Sequence, residues 1–122
     1  MTLSCTFSDQ EDYVLVRVEG TRSKVEGMRL QQEVAQYCQQ YGAERILVDS
    51  RQVLGKLNIV EWYDLLNFRN PLLQVGLKGF AVVYGSDVDR QFIENMGLSR
   101  GLPLRTFADL TQAEQWLTKQ SD

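Results

Sequence analysis

Hydrophobic and polar residues alternate along two segments near the start of the chain. In "TLSCTF", residues 2–7, Leu3, Cys5 and Phe7 alternate with small polar residues. In "YVLVRVE", residues 13–19, three valines alternate with other side chains in the same way. A period of two is typical of a β-strand with one covered face, and the polar "SDQED" between the segments suits a turn. The chain is therefore predicted to begin with a β-hairpin.

A helical period follows the hairpin. Ser23 with Glu26 has the spacing of a capping box, and Gly42 is placed to end the helix. The apolar stripe between them consists of Leu30, Val34, Tyr37, Cys38 and Tyr41. Three more helices are predicted from their capping residues, which are Asn58 with Glu61, Asp87, and Asp109 with Gln112.

Continuous apolar runs predict strands that are covered on both faces. "RILV" and "FAVVY" are such runs, and "PLRTF", residues 103–107, fits a last strand. The predicted order is ββαβαβαβα in one α/β domain over residues 1–122, with a mixed sheet and helices packed on it. Its later connections are parallel crossovers, which are normally right-handed.

Three segments of this pattern resemble the STAS domain, and in particular the stand-alone bacterial proteins called SpoIIAA-like. They are "LVDSR" with its loop and capped helix, "GFAVVYGSD", and "RTFADLTQAEQWL". The resemblance implies a binding or regulatory module instead of an enzyme. STAS antagonists carry a phosphorylatable serine at the start of the second helix, but this chain has Leu57 and Asn58 there, so no phosphorylation site is expected. SpoIIAA-like proteins are also similar in shape to CRAL-TRIO lipid carriers.

Composition narrows the possible partners. The net charge of −3 comes from 13 basic and 16 acidic residues, and the basic ones are scattered, which argues against nucleic-acid binding. No apolar run is long enough to span a membrane and the first residues do not resemble a secretory signal, so a cytoplasmic location is predicted. The absence of histidine and the wide spacing of Cys5 and Cys38 predict no metal and no cofactor, with both thiols acting as core side chains.

Two polar segments are candidate reactive sites. Asp49, Ser50 and Arg51 form a polar tip at the predicted end of the third strand, where Asp49 is expected to bond loop backbone groups or to pair with Arg51. Neighbouring strand residues point to opposite faces, so Asp49 and Ser50 are not expected to act as a catalytic pair. Gly85 and Ser86, at a strand-to-helix turn, are candidates for anion binding.

The second predicted helix has two apolar stripes. Ile59, Trp62, Tyr63 and Leu66 form the predicted core face. Leu65, Phe68 and Leu72 lie opposite them if the helix continues past residue 70, and Trp62 borders both stripes. The second stripe is covered either by "PLLQVGLKG" of the same chain, by a protein partner or second copy, or by an apolar ligand. The expected function is protein binding through Trp62, Leu65, Phe68 and Leu72, and the alternative is a carrier or sensor of a lipid-like molecule.

Overall fold

The computed structural model describes residues 2–67, 70–85 and 88–119. Within these ranges the elements follow one another in the predicted order, with one short 3-10 turn added between the second helix and the fourth strand. The bounds are β1 Leu3–Asp9, β2 Val14–Thr21, α1 Lys24–Tyr41, β3 Arg45–Leu54, α2 Ile59–Leu65, the 3-10 turn Pro71–Gln74, β4 Gly79–Val83, α3 Arg90–Ser99, β5 Leu104–Phe107 and α4 Leu110–Thr118.

The strands form one mixed sheet in the order β1-β2-β3-β4-β5. β1 pairs antiparallel with β2, while each later strand pairs parallel with the one before it. The prediction of a hairpin that leads into parallel crossover units is confirmed.

Hydrophobic cores lie on both faces of the sheet. On the first face, which we call the α1 face, side chains such as Val16, Ile46 and Val82 pack with residues of α1, α2 and α3. On the second, the α4 face, Leu47 and Leu117 belong to a smaller core. Burial on both faces explains the continuous apolar runs of β3 and β4.

Local sequence determines most helix ends. Ser23 Oγ accepts a hydrogen bond from the Glu26 amide at 3.2 Å, but the Glu26 carboxylate accepts from the Leu3 amide at 3.0 Å instead of completing a capping box. This exchange ties the start of α1 to β1. Gly42 ends α1 with φ 68°, a left-handed conformation that glycine adopts without strain.

The later caps agree with the sequence in two cases out of three. Asn58 and Glu61 form both bonds of a capping box at the start of α2. Asp109 Oδ1 accepts from the Gln112 amide at 3.0 Å at the start of α4. Asp87, the predicted cap of α3, lies outside the described residues, and the N-cap of α3 is Asp89.

Both cysteines are free thiols. Cys38 is 1% exposed in the core below α1. Cys5 is partly buried on β1, and its Sγ donates to Glu33 Oε2 at 3.0 Å. Burial and this neighbouring carboxylate raise the pKa of Cys5 to about 12, so the thiol stays protonated at neutral pH.

Candidate functional site

The polar triplet lies inside β3 and not at its tip, so the predicted strand end is wrong. β3 continues to Leu54, and its pairing with β2 reaches as far as Thr21. Its pairing with β4 ends earlier, at Asp49 opposite Val83. The triplet therefore begins where β4 stops pairing with β3, while β2 continues to pair with it. The sequence of β3 alone does not show where its neighbouring strands end.

Asp49 and Arg51 form a bidentate ion pair on the α4 face. Asp49 Oδ1 accepts from Arg51 Nε and Asp49 Oδ2 accepts from Arg51 Nη2, each at 2.9 Å. The backbone amide of Arg51 donates to Asp49 Oδ1 at 3.2 Å. The hydrogen bonds from Arg51 hold the pKa of Asp49 below its ordinary value. A carboxylate held ionised in this way is a weak base and is not available as an acid near neutral pH.

Ser50 faces the opposite side of the sheet from Asp49. It is 8% exposed, and it lines a cavity of about 130 Å³ between the sheet, α1 and α2. Because Asp49 and Ser50 open onto different faces, the carboxylate does not reach the hydroxyl as a base. Sequence analysis identified Ser50 as a polar residue but not the cavity, which tertiary packing creates.

The predicted faces of the second helix are correct only in part: Leu66 is 7% exposed and Trp62 packs against the core, as expected. Leu65 is 6% exposed and Leu72 is 5% exposed, so both belong to the core and not to an outer stripe. Ile59 and Tyr63, assigned to the core face, are 62% and 48% exposed. Phe68, the third member of the predicted outer stripe, lies outside the described residues.

The early end of α2 explains this difference. The helix ends at Leu65, and the backbone at Leu66 has left the helical conformation. Leu65 and Leu72 therefore do not share one helical stripe. The 3-10 turn that carries Leu72 packs against α1, whereas the first of the three alternatives expected this segment to cover the second helix.

Asn70 holds this turn in place and was not identified from the sequence. The residue is 2% exposed. Its Nδ2 donates to the Leu65 carbonyl at 3.1 Å, and its Oδ1 accepts from the Leu72 amide at 2.9 Å. Gln31 Nε2 of α1 donates to the same Leu65 carbonyl at 3.1 Å. An asparagine before a proline indicates a turn, but its partners become clear only in the structure.

Trp62 lies at the border of the cavity within an aromatic group. Its ring meets the Tyr84 ring edge to face with centroids 6.3 Å apart. The Arg22 guanidinium lies 6.0 Å from the Trp62 ring and 5.9 Å from the Tyr84 ring. Burial raises the pKa of Tyr84 to about 12. The sequence indicates Trp62, but Arg22 and Tyr84 join it only through the fold.

Three large apolar side chains on α2 point away from the core. Ile59, Val60 and Tyr63, which we call the outer α2 face, are 62%, 67% and 48% exposed. The Arg100 guanidinium of the loop after α3 lies 5.9 Å from the Tyr63 ring and borders this face. Nothing in the composition of α2 distinguishes these side chains from the buried ones, because both sets are apolar.

The predicted anion site is described only in part. Gly85 follows β4, whereas Ser86 lies outside the described residues. At the start of α3, Asp89 Oδ1 already accepts from the Phe92 amide at 3.1 Å. Anion binding at Gly85 and Ser86 stays a prediction.

The described residues contain neither a membrane-spanning helix nor a cluster of side chains suited to a metal ion. No helix there is long and apolar enough to cross a membrane. No group of three or more His, Cys, Asp or Glu side chains there is placed to hold a metal ion.

Solved structures share this fold, although no protein-family model and no curated protein matches the chain. An anti-sigma factor antagonist from Mycobacterium paratuberculosis is 21% identical, with a TM-score of 0.67 over 97% of this chain and 96% of that one. A Moorella thermoacetica RsbS variant is 17% identical, with a TM-score of 0.62 over 93% and 94%. An uncharacterised Shewanella loihica protein with a SpoIIAA-like fold is 14% identical, with a TM-score of 0.60 over 95% and 94%. The chain therefore has the SpoIIAA-like fold that its sequence pattern predicts.

Proposed function

We propose that the chain is a cytoplasmic, non-catalytic module that binds another protein, or a second copy of itself, through the outer α2 face. The observation that carries this proposal is the exposure of Ile59, Val60 and Tyr63 on one helix of seven residues. Single exposed apolar residues are ordinary, whereas adjacent ones mark interaction surfaces.

The energy available at this face is consistent with a binding role. Covering each large apolar side chain contributes about 1.5–3 kcal/mol. Association itself costs about 4–15 kcal/mol in lost freedom of motion, so three side chains can anchor a complex but cannot hold it alone. A partner must also cover the surrounding rim, where Arg100 lies beside Tyr63 and Lys24 pairs with Asp64 at 3.1 Å.

The shared fold supports a role in protein binding. One structure with this fold is named as an anti-sigma factor antagonist, which is a protein that opposes another protein. The ion pair between Asp49 and Arg51 supports the non-catalytic part of the proposal. Asp49 is the acidic residue next to Ser50 in the sequence, and its carboxylate is already bound by Arg51.

The cavity does not favour the alternative of a lipid-like, CRAL-TRIO-like carrier. Its volume is about 130 Å³. Pockets that enclose drug-sized ligands measure about 300–1,000 Å³. A long acyl chain is therefore too large for this space.

The proposal is tested by comparing assembly of the wild type with that of an Ile59→Ser, Tyr63→Ser double variant. The matched control is Val25→Ser, because Val25 is also an apolar residue on a helix and is 71% exposed. Light scattering coupled to size exclusion reports self-association, and tagged protein expressed in its own host reports co-purifying partners.

We expect the wild type and Val25→Ser to form the same complex and the double variant to lose it. All three proteins should have similar melting temperatures, because each substituted side chain is largely exposed. Equal complex formation by the double variant, or a strictly monomeric and partner-free wild type, would contradict the proposal.

A further inference from the structure

Ser50 contributes to the cavity between the sheet, α1 and α2 a hydroxyl that has no hydrogen-bond partner among the described residues. Ser50 is 8% exposed and lines this cavity. Its hydroxyl forms no hydrogen bond with another described residue. This hydroxyl is therefore available to hydrogen-bond to a molecule that enters the cavity.

The other polar side chains of the lining are mostly occupied. Gln31 and Asn70 both donate to the Leu65 carbonyl, and Ser23 accepts from the Glu26 amide. Arg22 Nη1 donates to the Gly55 carbonyl at 2.7 Å. Of the described polar groups that line the cavity, this leaves the hydroxyls of Ser50 and Tyr84 and the indole N–H of Trp62.

The remainder of the cavity wall is apolar. Its described members come from both the sheet and the helices, and they include Val18, Leu30, Val48, Val53, Leu65 and Phe80. No described acidic side chain or lysine lines it, and the one guanidinium, that of Arg22, is already held by Gly55 and two aromatic rings. A charged ligand would lose its hydration here without an available ion-pair partner.

We propose that this cavity binds a small uncharged molecule, the size of a single aromatic ring, whose one polar group hydrogen-bonds to Ser50. The size follows from the volume of about 130 Å³, since an apolar cavity of about 150 Å³ stays dry and takes up benzene. The partly exposed residues Arg22, Leu57 and Trp62 place its opening beside the first turn of α2. The cavity lining includes none of the three residues of the outer α2 face.

Phenol and benzene are suitable probes, because they share a ring and differ in one hydroxyl. Titration of methyl-labelled protein, followed by carbon–proton correlation spectra, locates and quantifies binding of each. We expect saturable shifts at the methyl groups of Val48, Val53 and Leu65, and none at Ala113 and Leu117 on the α4 face.

The role of Ser50 is tested by the ratio of phenol to benzene affinity, which cancels the contribution of the ring. Ser50→Ala should lower this ratio about fivefold, the effect of one neutral hydrogen bond. Ser50→Thr keeps the hydroxyl and should preserve the ratio, and Ser4→Ala, at an exposed serine of β1, is the matched control. Ser50→Ala should also leave the melting temperature nearly unchanged, because the hydroxyl that it removes has no hydrogen-bond partner among the described residues.

Three results would overturn the proposal. One is the absence of saturable shifts with either probe. Another is binding located on the α4 face. The third is a ratio of phenol to benzene affinity that Ser50→Ala leaves unchanged. That result is expected if a tightly held water is hydrogen-bonded to Ser50 in place of phenol.

Discussion

Two helical glycines provide a direct test of how tightly the α1 face is packed. Gly27 of α1 and Gly97 of α3 both lie against a leucine side chain, and alanine is more favourable than glycine in a helix by about 1 kcal/mol. A Cβ at Gly97 would lie 2.5 Å from Leu104 Cδ2 and 3.3 Å from Leu104 Cβ. A Cβ at Gly27 would lie 3.0 Å and 3.1 Å from the two methyl groups of Leu65.

These contacts predict opposite outcomes for the two substitutions. Carbon atoms pack best at about 3.5–4.0 Å, so Gly97→Ala requires the Leu104 side chain to move by about 1 Å. Rotation of the side chain alone does not relieve the contact, because the Leu104 Cβ is also too close. Overpacking of this kind costs about 3 kcal/mol, which leaves a net loss of about 2 kcal/mol. Gly27→Ala needs a shift of about half as much at flexible methyl groups that border the cavity, so its cost is offset by the helical preference of alanine.

Thermal unfolding followed by circular dichroism measures the difference. For a domain of this size, 1 kcal/mol corresponds to about 4 °C in Tm. Gly97→Ala should therefore lower Tm by about 8 °C, whereas Gly27→Ala should leave it unchanged or raise it slightly. An equal loss of Tm in both variants would show that Leu65 has no room to move, and would refute the assignment of free volume beside it.

Three further predictions concern single groups. Leu65→Ala should destabilise the fold by about 2–4 kcal/mol in urea unfolding without changing assembly, because this side chain is core and not surface; a loss of assembly at unchanged stability would contradict its burial. The pKa of Asp49 is lowered in the folded state by Arg51, so its contribution is present above the unfolded pKa of about 4 and is lost as the pH falls through the folded value. Asp49→Asn should therefore reduce the loss of unfolding free energy as the pH falls below about 4. The same loss in the variant and in the wild type would refute the contribution of Asp49. Glu33→Gln should lower the pKa of Cys5 from about 12 and speed its alkylation at pH 9, measured by mass spectrometry, whereas an unchanged rate would show that burial alone protects the thiol.

The sequence predicted those parts of the fold that depend on local patterns. These patterns involve side chains that are only a few residues apart. They are the alternation along β1 and β2 and the caps at Ser23, Asn58 and Asp109. Such interactions form wherever the chain folds, so the order and type of elements follow from them. The resemblance to SpoIIAA-like proteins rests on the same local patterns, which explains why it is correct for the fold.

The orientation of α2 could not be predicted in this way. Its seven residues, Ile59–Leu65, contain only two charged side chains, so neither apolar stripe is identified by a polar face opposite it. The outcome depends on where the helix ends, and that is determined by Asn70 and Gln31, which both bond to the Leu65 carbonyl. Gln31 lies 34 residues away in sequence, beyond the reach of any helical period.

The two faces of β3 explain why binding is the more consistent role for its polar residues. Asp49 faces α4 and is held by Arg51, while Ser50 opens into the cavity on the other side. A reactive serine needs a base within reach, and the titratable groups among the described lining residues are Arg22 and Tyr84. The guanidinium does not lose its proton in proteins, and the pKa of Tyr84 is raised to about 12, so neither accepts a proton at neutral pH. Among the described residues of the lining, Ser50 therefore has a hydroxyl that can hydrogen-bond and no neighbour that can act as its base.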